Sequence, residues 1–233
     1  ENPVTLSVRD IIDTLRDTNL RFYLGGLLLF VYGTGPLYSF LPLFMRQEVG
    51  LNESHILSLQ ISILIGGLVS SQLLGWSADR YGSRPVMLSG LTLTALLPIG
   101  WILIPRGLDI SLLFALTLAF FQGVATIGWS VGSSRLLFTR VIPEDNKSRY
   151  MAVYYAGLGL IGGTSQFIGG RLLDAFNDFS GQLAFITLDS FTVLMVIGII
   201  LVFNSRILCN TYLSGGYIGY FMRFPFYLYI FYY

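Results

Sequence analysis

The chain is short of the residues on which most enzymes and soluble domains depend. One cysteine, Cys209, in 233 residues excludes an internal disulfide and any cysteine-based metal site. The single histidine, His55, falls at the edge of an apolar run with no Gly-x-Ser-x-Gly and no paired intramembrane Asp, which sets an intramembrane protease aside. Charged residues are only 12% of the total and the net charge is +1, so neither nucleic acid nor an acidic partner is indicated. Metal clusters and phosphate loops are missing, and no catalytic group, metal or other cofactor is implied. Half-helix Asn-Pro-Ala and carbonyl-filter motifs are missing too, which weakens a channel reading. No initiator Met, basic n-region or cleavage site precedes the body of the chain, so its opening reads as an interior segment of something longer rather than a secretory signal.

What is present in excess is apolar surface. With 54% hydrophobic residues and a mean hydropathy of +0.68, the chain belongs in a bilayer. Charge-free runs at 22–45, 57–78, 85–105, 110–134 and 150–170 are each long enough to cross a hydrocarbon core of about 30 Å. A sixth, 183–203, is interrupted by Asp189. The expected fold is an all-α membrane protein with six transmembrane helices spread over 22–206. Residues 1–21 form a polar cytoplasmic linker ending in a short amphipathic surface helix, with Ser7 and Asp10 as a capping box and Val8, Ile11, Ile12 and Leu15 on one face. Residues 207–233 are dense in Tyr and Phe and read either as an interfacial tail or as the product of a shifted frame. Arg46, Arg106 and Arg171 fall in the outer connections and all the other basic residues in the inner ones, which puts both termini in the cytoplasm.

The one tight run of charge between two spans is Gly75-Trp76-Ser77-Ala78-Asp79-Arg80-Tyr81-Gly82-Ser83-Arg84-Pro85. Gly82 suits a chain reversal and Pro85 the first turn of the next helix. Gly67, Ser71 and Gly75 form a small-residue ladder that would admit a neighbouring backbone. This hairpin resembles the short cytoplasmic loop of major facilitator superfamily transporters, G-x-L-A-D-R-x-G-R-[KR]. Gly75, Ala78, Asp79, Arg80, Gly82 and Arg84 match, while Ser77 and Ser83 depart from the pattern.

The resemblance implies half of a facilitator fold, built from two inverted three-helix repeats, that binds a small-molecule substrate against a second six-helix half of the same polypeptide, in the plasma (cell inner) membrane. Ser71-Gln72-Leu73-Leu74-Gly75 and Ser165-Gln166-Phe167-Ile168-Gly169 are a faint echo of the repeat. Ala119, where amino-terminal halves often carry Arg, and Ser165-Gln166, where an antiporter signature has Gly-Pro, favour the carboxy-terminal half. On that reading Gly75, Asp79, Arg80, Gly82 and Arg84 are the conformational clamp, with Asp79 and Arg84 facing the missing half. Tyr32 on the first span, and Gln122, Thr126 and Trp129 from a polar stripe on the fourth, are the substrate-facing candidates; Asp189 is a possible proton-coupling carboxylate. A stand-alone six-helix channel or a non-transporting scaffold remains as the alternative.

Overall fold

The computed structural model describes residues 8–107, 110–143, 146–177, 181–183 and 186–213. Among the described residues seven helices carry the fold: α1 (Val8–Leu15), α2 (Thr18–Gln47), α3 (Glu53–Tyr81), α4 (Ser83–Ile102), α5 (Ile110–Leu136), α6 (Lys147–Ala175) and α7 (Ser190–Leu213). A π-helical turn, Leu137–Val141, continues α5. Before α7, β1 (Gly181–Leu183) and β2 (Ile186–Leu188) pair antiparallel in a small hairpin.

Among the described residues five helices, α2, α3, α4, α5 with its π turn, and α7, are long and apolar enough to cross a membrane. At 29 residues, α6 is as long as α3, but its glycines, tyrosines and hydroxyl residues dilute its hydropathy. Prolines 36 and 42 lie inside α2, as a membrane helix tolerates when neighbouring helices cover the freed carbonyls.

Helix contacts define an open arc in the order α3, α5, α4, α7, α2, α6. That order is a palindrome. Exchanging α2 with α5, α3 with α6 and α4 with α7 reverses the list onto itself, as two three-helix units related by an internal two-fold require. The equivalent crossings are also built alike. Gly90 of α4 meets Gly128 of α5, and Gly198 of α7 meets the Gly33 carbonyl of α2; a Cβ on any of the four would press into the facing backbone. Each unit lends its first helix to the other: α5 packs between α3 and α4, and α2 between α6 and α7.

Two apolar clusters fill the arc. One gathers Phe44, Met45, Leu97, Trp101 and Phe191 toward the ends of α2 and α4, and the other gathers Leu20, Tyr23, Met87, Leu91, Trp129 and Val202 toward the opposite end. The end helices of the arc are covered least. In α3 the side chains of Leu57, Leu64, Leu68 and Leu73 are 64–76% exposed, and in α6 those of Leu160 and Phe167 are 72% and 65% exposed. In α1 the apolar Ile11, Ile12 and Leu15 are exposed while Thr14 is the buried residue, so its greasy face points away from the protein.

Several boundaries differ from the sequence reading. Helix α2 starts at Thr18 instead of 22, because the Asp17 carboxylate accepts the Asn19 amide at 2.8 Å and caps it. Helix α7 starts at Ser190 instead of 183 and runs past 206 to Leu213. Asp189 is therefore not inside a span; it precedes the helix and accepts the Thr192 amide at 2.8 Å. The small-residue ladder is displaced by one position. Nothing lies within 4 Å of a Cβ on Gly75, whereas one on Gly66 would collide with the Phe120 carbonyl and one on Gly123 with the Ile63 carbonyl. Ser7 of the expected capping box and residues 214–233 of the tail lie outside the described residues.

Candidate functional site

Three groups of residues bear on function: the helix ends at the Gly82 hairpin, called inner after the Lys and Arg distribution, the opposite ends, called outer, and the polar side chains between them. At the inner end Gly82 reverses the chain with φ 89° and ψ 164°, a region open in practice to glycine alone. Pro85 falls in the first turn of α4, where no amide donor is needed. The Asp79 carboxylate, at the end of α3, pairs with Arg135 at the end of α5 at 2.7 Å. Arg84 donates to the Asn210 side-chain oxygen near the end of α7 at 2.8 Å. Tyr150 donates to Asp17 at 2.7 Å and so ties the start of α6 to the start of α2. The Tyr23 hydroxyl donates to the Ser133 carbonyl at 3.2 Å. Asp79 and Arg84, expected to face a second half, both hold partners within the described chain. Arg80 takes no part in these ties and lies over the rings of Trp76 and Tyr81, 5.3 and 5.7 Å from their centroids.

The outer end is organised differently. The Arg106 guanidinium, in the α4–α5 connection, forms ion pairs with Glu48 after α2 and with Asp189 before α7, the latter at 2.7 Å. One side chain thus joins all three outer connections. It also lies over the Phe44 ring at 5.7 Å, and Phe44 in turn packs on Phe191 at 5.5 Å. The Arg106 side chain is 23% exposed, Glu48 31% and Asp189 16%, so water screens this cluster less than an open surface pair. Asp189 serves twice: one oxygen faces Arg106 while the other accepts from the Thr192 amide and hydroxyl. Sequence reasoning counted Arg106 only toward the charge bias and passed over Glu48. The available signal was a basic residue in the α4–α5 connection set against an acidic one in each of the other two outer connections.

Between the ends, the four substrate-facing candidates divide into pairs. Tyr32 on α2 is partly exposed, and its hydroxyl is 2.8 Å from the Thr164 hydroxyl of α6. Thr126 is exposed and donates to the Gln122 carbonyl one turn earlier at 2.8 Å. Trp129 and Gln122 are buried, at 8% and 6% exposure. Trp129 stacks on Phe30 of α2 with centroids 4.1 Å apart, a partner with no signature in the sequence. The Gln122 amide oxygen has no hydrogen-bonding partner among the described residues, a deficit that costs about 1–3 kcal/mol in a dry interior. Ser130 and Ser133 of the same stripe separate likewise, one exposed and one buried.

Comparison with known proteins matches this geometry to a family. No curated protein matches the sequence. Among solved structures, the crystal structure of a bacterial homologue of the iron transporter ferroportin, in an outward-facing state, is similar with a TM-score of 0.64 at 18% identity. The match covers 87% of this chain and 47% of that one, so the chain spans about half the length of the structure it matches. Identity at that level speaks for a shared fold alone. The Major Facilitator Superfamily profile matches residues 23–210, nearly all of the helical arc with its inner-end hairpin, and the chain belongs to that superfamily.

Proposed function

We propose that the chain is one six-helix lobe of a permease that moves a small solute by alternating access, with α6 as the fifth crossing and a second lobe completing the site. The observation that carries this reading is the open arc: α3 and α6 end it, each with an apolar face that nothing in the lobe covers. The distribution of Lys and Arg supports a cell inner membrane orientation with the Gly82 hairpin and both ends of the lobe in the cytoplasm. The outward apolar face of α1 supports its lying on the membrane surface.

Within this reading Tyr32 and Thr126 meet the solute first. The unmatched Gln122 oxygen lies one turn from Thr126 and accepts from a solute donor once the lobe relaxes around it. Trp129 acts from behind by stacking on Phe30 and fixing α5 against α2. The inner clamp works inside the lobe, where Asp79 holds α3 to α5 and Arg84 holds α4 to α7. With Asp189 engaged by Arg106 and by the α7 cap, a latch at the outer end is favoured over a coupling carboxylate. Ala119, where amino-terminal halves often carry Arg, and Ser165-Gln166, where an antiporter signature has Gly-Pro, favour carboxy-terminal placement.

The test uses the full-length protein in sealed vesicles, with the half-buried Cys209 replaced by Ser and Thr126→Cys as a reporter. A membrane-impermeant maleimide is expected to label residue 126 from either face, without the vesicles becoming leaky to that reagent. Labelling from neither face would remove residue 126 from any solute path. Passage of the reagent through the protein would mean a continuous pore and would end the alternating-access reading.

A further inference from the structure

The exposed side of α3 carries two stripes with different chemistry. Leu57, Ile61, Leu64 and Leu68 recur at steps of four, three and four, all apolar and 57–76% exposed. Val69, Leu73, Trp76 and Arg80 follow at the same steps, displaced by one residue or about 100° around the helix. The second stripe is also exposed, with Val69 at 55%, Leu73 at 64% and Trp76 at 52%, but it ends at its inner end in a cation. There Trp76 and Tyr81 meet edge to face at 6.0 Å with the Arg80 guanidinium over both rings. No carboxylate among the described residues pairs with Arg80, since the adjacent Asp79 is turned to Arg135. A guanidinium held on ring faces keeps N–H edges for a phosphate oxygen pair. Indole and phenol rings settle at the level of lipid headgroups.

We propose that this second stripe is a binding site for an anionic phospholipid of the inner leaflet, the phosphate on Arg80 between the rings of Trp76 and Tyr81 and the acyl chains along Trp76, Leu73 and Val69. Charge complementarity names the headgroup, because Arg80 is a cation with no carboxylate partner among the described residues, on the side of the lobe that holds most of its Lys and Arg. The apolar run continuing from Arg80 names a lipid over a free phosphate, which would have no use for it. A second lobe fits the first stripe instead, which is apolar throughout and is followed on its inner side by Gly75, with nothing within 4 Å of the position its Cβ would take. The site requires only that the chain cross a bilayer with the Gly82 hairpin on its inner side, so it stands or falls apart from the transport reading.

Tryptophan fluorescence tests it directly, because Trp101 is 0% and Trp129 8% exposed, which leaves Trp76 as the accessible indole of the lobe. The full-length protein is reconstituted in phosphatidylcholine vesicles with rising fractions of brominated lipid, and the signal assigned to Trp76 is the part lost in Trp76→Phe. Brominated phosphatidylglycerol is expected to quench it at about fivefold lower mole fraction than brominated phosphatidylcholine, the preference one well-placed cation confers at a membrane surface. Arg80→Gln is expected to abolish that preference, and millimolar glycerol phosphate to leave it untouched. Equal quenching by the two lipids in the unmodified protein would reduce the stripe to ordinary bilayer contact and overturn the proposal. Absence of quenching by either would put the second lobe there, and competition by glycerol phosphate would make the site a soluble-anion site; both overturn it as well.

Discussion

The two ends of the lobe are held together by opposite designs. At the outer end a single guanidinium, Arg106, gathers the connections after α2, after α4 and before α7. At the inner end the work is divided among bonds that share no atoms: Asp79 with Arg135, Arg84 with Asn210, and Asp17 with Tyr150. A shared hub fails as a unit, whereas separate ties fail one at a time. On the proposed reading of a lobe that rocks against a partner, the first design suits an end that moves as one piece. The second suits an end where individual helices shift.

The sharpest way to break this contrast is to remove the hub. Arg106→Ala leaves two partly buried carboxylates facing each other, and the expected loss is about 2–3 kcal/mol of unfolding free energy, short of the roughly 3–5 for a fully buried pair. It would be read as a lowered midpoint in a denaturing-detergent titration. A loss under about 1 kcal/mol would mean that the outer connections do not depend on the guanidinium. Next in size is the coupling between partners. Glu48→Gln and Asp189→Asn together should exceed additivity by about 1 kcal/mol, because either carboxylate alone still pairs with Arg106 and only the double variant leaves the cation unmatched, while Asn210→Ala and Tyr150→Phe should add within about 0.5. Coupling of equal size at both ends would erase the distinction. The smallest effect belongs to Asp79→Asn, whose carboxylate is 68% exposed. About 0.5 kcal/mol is expected at low ionic strength, fading in molar salt as screening shortens the reach of the pair. Persistence in salt would show that the Asp79 pair is shielded as the Arg106 cluster is.

The inner end was largely legible in the sequence and the outer end was not. Gly82 and Pro85 announce a reversal through local backbone chemistry, and the charge-free runs announce helices through length, both properties of a few adjacent residues. The hub depends on Glu48, Arg106 and Asp189, which lie far apart in the chain and meet only after the helices have packed. Asp189 was misplaced for a specific reason. The residues just before it are apolar enough to extend the span on paper, and apolar composition does not separate a short extended segment from a helix. The polar stripe on α5 was found by its spacing, but spacing alone could not show which side of it faces inward. Trp129 turned in onto Phe30 of α2 and Gln122 is buried, while Thr126 stayed at the surface, a division set by Phe30 and by the glycine crossings rather than by α5 itself.

Because each three-helix unit surrounds the other's first helix, α2 has to wait in the bilayer for companions that follow it much later in the chain. The Ser205 hydroxyl that closes on the Gly26 carbonyl is 179 positions downstream of it. Assembly of the lobe therefore finishes with the insertion of α7, and until then the glycine-lined flank of α2 is open to any other helix nearby.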